Sequence, residues 1–149
     1  MTTLFQFIMY MIFGKRWIKW DMLQGLKMAI FVNEMEIDMD KAKYDDAVKR
    51  KETLEKDLAE LLETPLADPL TLLSDEEKED KKAIQKAEHK IKIEREEQIQ
   101  QFRNQIRSAE TDIQIYDGQL SKTYSIAYTN RRKYDFVKNA EIKATYADN

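Results

Sequence analysis

Apolar residues in the second half of the chain recur three and four positions apart. From Ile99 to Leu120 this spacing holds for about three heptads and places the apolar side chains on one face of a helix. The residues of this stripe are Ile99, Phe102, Ile106, Ala109, Ile113, Tyr116 and Leu120. A sustained stripe of this kind predicts a helix that packs lengthwise against another helix, and we call the buried stripe the seam.

The seam is interrupted once, near Arg95. Ile84, Ala87 and Ile91 keep the spacing upstream, but two consecutive four-residue steps separate Ile91 from Ile99. An insertion of this kind locally unwinds a supercoil. We therefore expect the seam to loosen or to change its partner at Arg95.

The predicted start of this second helix is Ser74. Ser74 and Glu77 have the spacing of a capping box, in which each side chain bonds the other residue's amide, and the acidic residues that follow Ser74 suit the positive end of the helix dipole. The stripe continues as Tyr116, Leu120, Tyr124, Ala127, Arg131 and Tyr134. The second helix is therefore predicted over 74–149.

A shorter first helix is predicted over 34–63. Its stripe consists of Ala47, Lys51, Leu54, Leu58 and Leu61, with the Lys51 ammonium reaching out of the seam to water. Asn33 is a suitable capping residue for its start, although residues 33–40 alternate acidic and apolar in a strand-like way. Two prolines, at 65 and 69, end the helix and predict an apolar loop over 64–73.

These elements predict an all-α fold, a long antiparallel hairpin of unequal, coiled-coil-like helices over 34–149, preceded by an apolar segment over 1–33. The first helix is long enough to pair with the second only as far as about Arg103. The remainder of the second helix then requires another partner, either the apolar N-terminus or another chain. The Asp117-Gly118 dipeptide allows one alternative, a small β-hairpin within 111–128.

The N-terminal segment permits two interpretations. Residues 4–13 are apolar except for Gln6, and cations then alternate with tryptophans over residues 15–20. A helix over residues 4–13 covers about half of a bilayer's hydrocarbon core and is too short to cross it alone, but residues 3–32 could lie in a membrane interface. The other interpretation is docking on protein, either on the aromatic C-terminal region or on another subunit. A cleaved signal peptide is disfavoured because the charges follow the apolar run.

Composition excludes several kinds of chemistry. The 149 residues include no cysteine, which rules out disulfides, thiolate metal sites and a cysteine nucleophile. The net charge of −3 disfavours a general nucleic-acid binder. The single histidine, His89, has no partner at metal-ligand or triad spacing, and the three glycines are too dispersed for a phosphate loop. The acidic run over 34–40 and the basic triplet at 131–133 are interpreted as solvated or mutually paired faces.

We therefore predict a non-enzymatic structural or interaction subunit of a larger assembly, such as a virion or a multi-subunit complex, that binds a protein partner or copies of itself. The alternative is an adaptor anchored to a membrane through residues 3–32. We expect no catalytic residue, metal, cofactor or small-molecule substrate, and a reducing interior or an assembled particle as the location. The candidate interface residues are Phe5, Phe7, Ile8, Tyr10, Ile12, Phe13, Trp17, Trp20, Phe102, Ile106, Ile113, Tyr116, Leu120, Tyr124 and Tyr134.

Overall fold

A computed structural model describes residues 2–140 of the chain. Every regular element in this range is helical, so the all-α prediction is confirmed. The α-helices are α1 (Thr2–Phe13), α2 (Lys15–Glu63) and α3 (Lys81–Asn139). Two short 3₁₀ turns, Pro69–Leu72 and Glu77–Glu79, lie between α2 and α3. Residues 64–80 are called the connecting segment below.

The two long helices α2 and α3 pack against each other. The chain divides into two compact units, and the division cuts across both helices. The terminal unit consists of Met1–Ala42 and Tyr116–Asn149, and the loop unit consists of Lys43–Ile115. In the terminal unit the early part of α2 meets the late part of α3, and in the loop unit the late part of α2 meets the early part of α3, as expected for an antiparallel pair.

The predicted inequality of the two helices is much smaller in the structure. α2 has 49 residues and α3 has 59, because the first long helix begins at Lys15 and not at residue 34. Asn33 does not cap a helix; its side chain is buried and accepts a hydrogen bond from Asn130 Nδ2 at 2.8 Å. The late part of α3 therefore packs against residues that were assigned to a separate N-terminal segment.

The chain breaks at Gly14, between α1 and α2. Gly14 has a φ of +63°, and its amide donates to the Tyr10 carbonyl at 2.7 Å, which closes the last turn of α1. A left-handed residue at this position ends a helix, and glycine adopts that conformation without a steric penalty. Gly14 thus divides the predicted N-terminal segment into α1 and the first part of α2.

The start of α3 differs from its predicted position at Ser74. The Glu77 carboxylate does accept a hydrogen bond from the Ser74 amide, at 3.3 Å, but this bond closes only a short 3₁₀ turn. Asp80 is extended and its carboxylate accepts from the Lys82 amide at 2.9 Å, so Asp80 caps the helix that begins at Lys81. The extended backbone at Asp80 stops the first turn from propagating. At the other end, α3 is described as far as Asn139, and residues 141–149 of the predicted helix lie outside the described range.

The loop unit contains the predicted stripe of α2. Ala47 is buried, and Lys51, Leu54, Leu58 and Leu61 are half-buried at regular heptad spacing. On α3, the small Ala109 is completely buried, and Phe102, Ile106 and Ile113 are half-buried. These side chains form the seam between the two helices in this unit.

At Arg95 the seam changes its partner, as the interrupted spacing predicted. The Arg95 guanidinium donates to the carbonyls of Leu61, Leu62 and Thr64 at 2.6, 3.1 and 2.5 Å. These are the carbonyls at the end of α2, which have no partner within the helix. Farther toward the start of α3, Ala87 lines a groove with Leu72 of the connecting segment.

In the terminal unit the seam includes polar residues and shifts by one position from its predicted course. Thr123 and Ala127 are buried and Asn130 is half-buried, whereas Tyr124 and Arg131 point outward. Arg131 instead pairs with Glu34 at 2.7 Å, as the proposed pairing of the basic triplet with the acidic run predicted. The seam continues through Tyr134 to Val137.

Residues 111–128 lie within α3, so the alternative β-hairpin does not form. Gly118 is exposed, and no atom lies within 4 Å of the position that a Cβ would occupy. A glycine within a helix costs about 1 kcal/mol relative to alanine. The helical packing on both sides of Gly118 offsets this cost.

The two glycines at 14 and 118 give a paired prediction. Gly118→Ala raises the free energy of unfolding by about 1 kcal/mol, because it restores helix propensity without a clash. Gly14→Ala lowers it by about 1 kcal/mol, because an L side chain is strained at a φ of +63°. Urea unfolding followed by circular dichroism measures both changes, and effects of equal sign would contradict this assignment of the break.

Lys51 gives a prediction on pH. Its ammonium leaves the seam and lies 3.2 Å from a Glu110 carboxylate oxygen and 3.6 Å from one of Glu55. The hydrogen bond to Glu110, followed by the charge of Glu55, raises the pKa of Lys51 above its ordinary value. A lysine pKa that is raised by folding contributes stability below the unfolded value of about 10.4, and that contribution is lost as the pH rises through the folded value.

The stability difference between the native chain and Lys51→Met should therefore stay constant from pH 6 to 9 and change only above about pH 10. Urea titrations of both proteins at each pH measure this difference, and the subtraction removes the contribution of the other titrating groups. A difference that changes around pH 7 would show that the ion pairs of Lys51 are not its cause.

Candidate interaction surface

Helix α1 is apolar around most of its circumference and remains largely uncovered. Its large apolar side chains are between 46 and 70 % exposed: Leu4, Phe5, Phe7, Ile8, Met11, Ile12 and Phe13. Met9 and Tyr10 are half-buried. A helix that is hydrophobic on all sides is ordinarily buried in a protein core or in a membrane. Exposure of such a helix is the first indication of a binding surface.

An aromatic cluster holds α1 against the start of α2. The ring of Phe5 meets the ring of Trp17 edge-on, with centroids 6.2 Å apart, and Trp17 stacks on Trp20 at 4.9 Å. Aromatic pairs at these separations contribute roughly 0.5–1.5 kcal/mol beyond their buried area. Because Trp20 is still half exposed, the cluster is open to solvent on one side.

The exposed apolar surface continues along α2. Six large apolar residues of α2 in the terminal unit are 44–65 % exposed: Met22, Met28, Phe31, Val32, Met35 and Met39. Four of the six are methionines, whose flexible and polarisable side chains adapt to irregular partner surfaces. Both α1 and α2 therefore expose many large apolar side chains on the terminal unit, and extensive exposed apolar surface marks interaction sites in soluble proteins.

A groove of about 710 Å³ lies between α2 and α3 in the same unit. Met22 and Leu26 line it from α2, and Phe136 and Val137 line it from α3. Gly25 also lines the groove, and no atom lies within 4 Å of the position of an added Cβ there. Because Gly25 has no side chain, the groove is open at this position of α2.

Basic residues surround this apolar area. Residues 15–27 contain four basic side chains and one acidic side chain, and residues 131–138 contain the same numbers. Arg132 and Lys133 line the groove, and the Arg132 guanidinium lies 5.8 Å from the centre of the Tyr128 ring. Lys19 donates to the Ala140 carbonyl at 3.2 Å and so joins the start of α2 to the end of α3. The surface is both apolar and cationic.

Fourteen of the fifteen predicted interface residues divide into two groups. The seam residues pack within the chain: Leu120 is buried, and Phe102, Ile106, Ile113, Tyr116 and Tyr134 are half-buried. The N-terminal residues lie on the open surface, with Phe5, Phe7, Ile8, Ile12, Phe13 and Trp20 exposed and Tyr10 and Trp17 half-buried. Tyr124 faces outward, one position away from the seam.

Several surface residues were missed by the sequence analysis. Phe136 is the most exposed large apolar side chain of those described on the surface, at 75 %, and Tyr128 is 63 % exposed. Both lie on α3 outside the apolar stripe. Their position off the stripe could have identified them as apolar residues on the exposed face of the helix. The groove was not foreseeable, because it depends on the register between two helices.

The described residues show no arrangement typical of a metal site. No three His, Asp or Glu side chains converge among them, and His89 is exposed on α3. In the same range, no helix combines the length and the apolar character that a membrane crossing needs.

No protein-family model, curated protein sequence or solved structure matches this chain. Its function is therefore argued from the terminal unit's own surface.

Proposed function

We propose that the protein is a non-enzymatic interaction subunit, a coiled-coil-like helical hairpin whose terminal unit docks into a larger protein assembly. The observation that carries this proposal is the exposure of seven large apolar side chains on α1. Covering an apolar side chain of this size contributes about 1.5–3 kcal/mol. An assembly partner that covers several of them gains enough to offset the cost of association.

The neighbouring apolar surface supports a protein partner. The exposed methionines of α2 and the aromatic residues of α3 extend the surface well beyond α1. Aromatic residues, methionine and arginine are the types enriched at protein interfaces. The surface combines all three around one groove.

Binding to a lipid surface is a second candidate function, and an observation at the start of α2 favours it. Trp17 and Trp20 are stacked beside Lys15, Arg16 and Lys19, and this combination suits the headgroup region of an anionic membrane. In that case α1 would lie within the interface and the hairpin would project into solvent.

Two variants and two measurements separate these candidates. Phe7→Lys/Ile12→Lys places charge on the exposed face of α1, and Leu62→Lys/Ile115→Lys is the control at exposed apolar residues outside α1. Sedimentation velocity over a concentration series measures association without lipid. Flotation with phosphatidylserine-containing vesicles measures membrane binding.

Concentration-dependent association of the native chain, lost in the α1 variant and retained in the control, is the expected result. A chain that remains monomeric and floats with vesicles only when α1 is intact would replace the assembly function with the membrane function. Circular dichroism confirms that all variants keep their helices.

A further inference from the structure

The groove of the terminal unit joins an apolar floor to a cationic rim. Met22, Leu26, Phe136 and Val137 contribute the apolar part, and Arg132 and Lys133 contribute the cations. Among the described residues, neither of these two cations forms an ion pair with a carboxylate. A ligand that combines apolar side chains with carboxylates would match both parts of the groove.

The connecting segment of the same protein has this composition. Leu66, Leu70 and Leu72 are between 40 and 54 % exposed. Residues 68–80 contain six acidic side chains and one lysine. The segment is therefore an exposed stretch of leucines followed by a strongly negative turn.

Two carboxylates of this segment are available for a partner. Asp68, Glu77 and Asp80 each accept a hydrogen bond from a backbone amide, and Asp75 pairs with Lys78 at 2.8 Å. Glu76 and Glu79 make no such contact within the described residues. Their substitution therefore leaves the local caps intact.

Charge also distinguishes which segment of a second copy suits the groove. Helix α1 of another copy is apolar, but residues 2–13 carry no acidic side chain and are followed by Lys15 and Arg16. Its approach would bring cations toward Arg132 and Lys133. The connecting segment brings carboxylates, and complementary charge gives specificity and a faster encounter.

We infer that the groove of one copy binds the connecting segment of a second copy, with Leu70 and Leu72 on the apolar floor and Glu76 and Glu79 beside Arg132 and Lys133. This inference rests on the proposed function, since it takes the terminal unit as a protein-binding surface. The contact joins two different surfaces of the chain. It can form twice in a two-fold dimer, in which each groove binds the other copy's segment, or once per copy in a ring or filament.

Charge reversal tests the contact on the full-length chain. Arg132→Glu/Lys133→Glu makes the groove rim acidic, and Glu76→Lys/Glu79→Lys makes the connecting segment basic. Each variant alone sets like charges against each other, so its self-association weakens by at least about tenfold. An equimolar mixture of the two variants restores association, because each groove then meets a segment of the opposite charge.

Lys41→Glu/Lys122→Glu is the matched control. It makes the same change in net charge within the terminal unit, at exposed lysines that do not line the groove. This control keeps native self-association. Sedimentation velocity and light scattering measure each sample.

Unchanged association of Arg132→Glu/Lys133→Glu, or a mixture of the two variants that remains monomeric, overturns the inference. If the native chain self-associates and the α1 variant Phe7→Lys/Ile12→Lys does not, the proposed function stands and only the groove contact fails. A native chain that stays monomeric, but binds phosphatidylserine vesicles through Arg132 and Lys133, assigns the groove to lipid headgroups and also overturns it.

Filling the groove is an independent test. Gly25→Leu projects a side chain into the open groove, whereas Gly118→Leu places the same side chain on α3 outside it. Both substitutions raise helix propensity, so both variants unfold at higher urea concentration than the native chain. Only Gly25→Leu is expected to lose self-association, by at least about tenfold. Native association of Gly25→Leu would overturn the inference even though the protein is folded.

Discussion

Asn33→Leu is expected to destabilise the chain by about 1–3 kcal/mol, although it replaces a polar seam residue by the most common seam residue. Asn33 is 7 % exposed and its side-chain oxygen is the acceptor for Asn130 Nδ2 at 2.8 Å. The substitution removes the acceptor and leaves the Asn130 amide facing an alkyl group. Loss of one partner costs the desolvation of the other.

The double substitution Asn33→Leu/Asn130→Leu is expected to restore or exceed native stability, because both polar groups are then absent. What it should lose is a unique register. A buried asparagine pair specifies the alignment of packed helices at a cost in stability, and an all-apolar seam tolerates a shift by one heptad. The asparagine pair is therefore expected to select one alignment among several.

Urea unfolding measures the stability of both variants, and crosslinking measures the register. Because the chain has no cysteine, cysteines introduced at Glu34 and Arg131 report the native alignment through a short bismaleimide. Asn104→Leu is the control, since Asn104 is exposed and bonds only Gln100 of the same helix. Native crosslinking efficiency in the double variant would show that other contacts set the register.

Asn33 and Asn130 show which part of the helix packing the sequence could not predict. Heptad counting found the seam of the loop unit, where small or aliphatic residues such as Ala47, Leu54 and Leu58 occupy it. In the terminal unit Thr123 and Asn130 take seam positions, and an apolar count selects Tyr124 instead. Asn130 is recognisable as a seam residue only when the partner helix is known, because its hydrogen bond joins it to Asn33, 97 positions away in sequence.

The break in the N-terminal half was missed for a related reason. The capping character of Asn33 placed the predicted helix start directly after it, whereas in the structure Gly14 separates the end of α1 from the start of α2. A glycine in a left-handed conformation and a glycine within a helix look alike in sequence, as Gly14 and Gly25 show. The apolar character of α1 was evident, but the groove beside Gly25 required both helices in register.

Arg95→Met is expected to lower the free energy of unfolding by about 2 kcal/mol, within the range of roughly 1.5–3 kcal/mol for hydrogen bonds that involve a charged group. The guanidinium donates to three carbonyls at the end of α2, those of Leu61, Leu62 and Thr64. Its positive charge also lies at the negative end of the helix dipole. Methionine keeps the alkyl packing of the side chain but offers these carbonyls no donor.

Arg103→Met is the matched control, because Arg103 is exposed on the same helix, and its substitution should change stability by less than about 0.5 kcal/mol. Arg95→Lys should fall between the two, since a single ammonium lacks the planar fork of the guanidinium. Urea unfolding gives the free energies, and hydrogen exchange should be faster in the last turn of α2 in Arg95→Met. Equal effects at the two arginines would mean that the hydrogen bonds contribute nothing measurable.

Arg95→Leu separates the two roles that this position could have. Arg95 occupies the seam where the heptad spacing is interrupted, so leucine would extend the apolar stripe without a gap. If seam packing were its main role, Arg95→Leu would be more stable than the native chain. We expect Arg95→Leu to be less stable, because α2 ends opposite this residue. The hydrogen bonds lost by the last carbonyls of α2 should cost more than the packing of another leucine in the seam contributes.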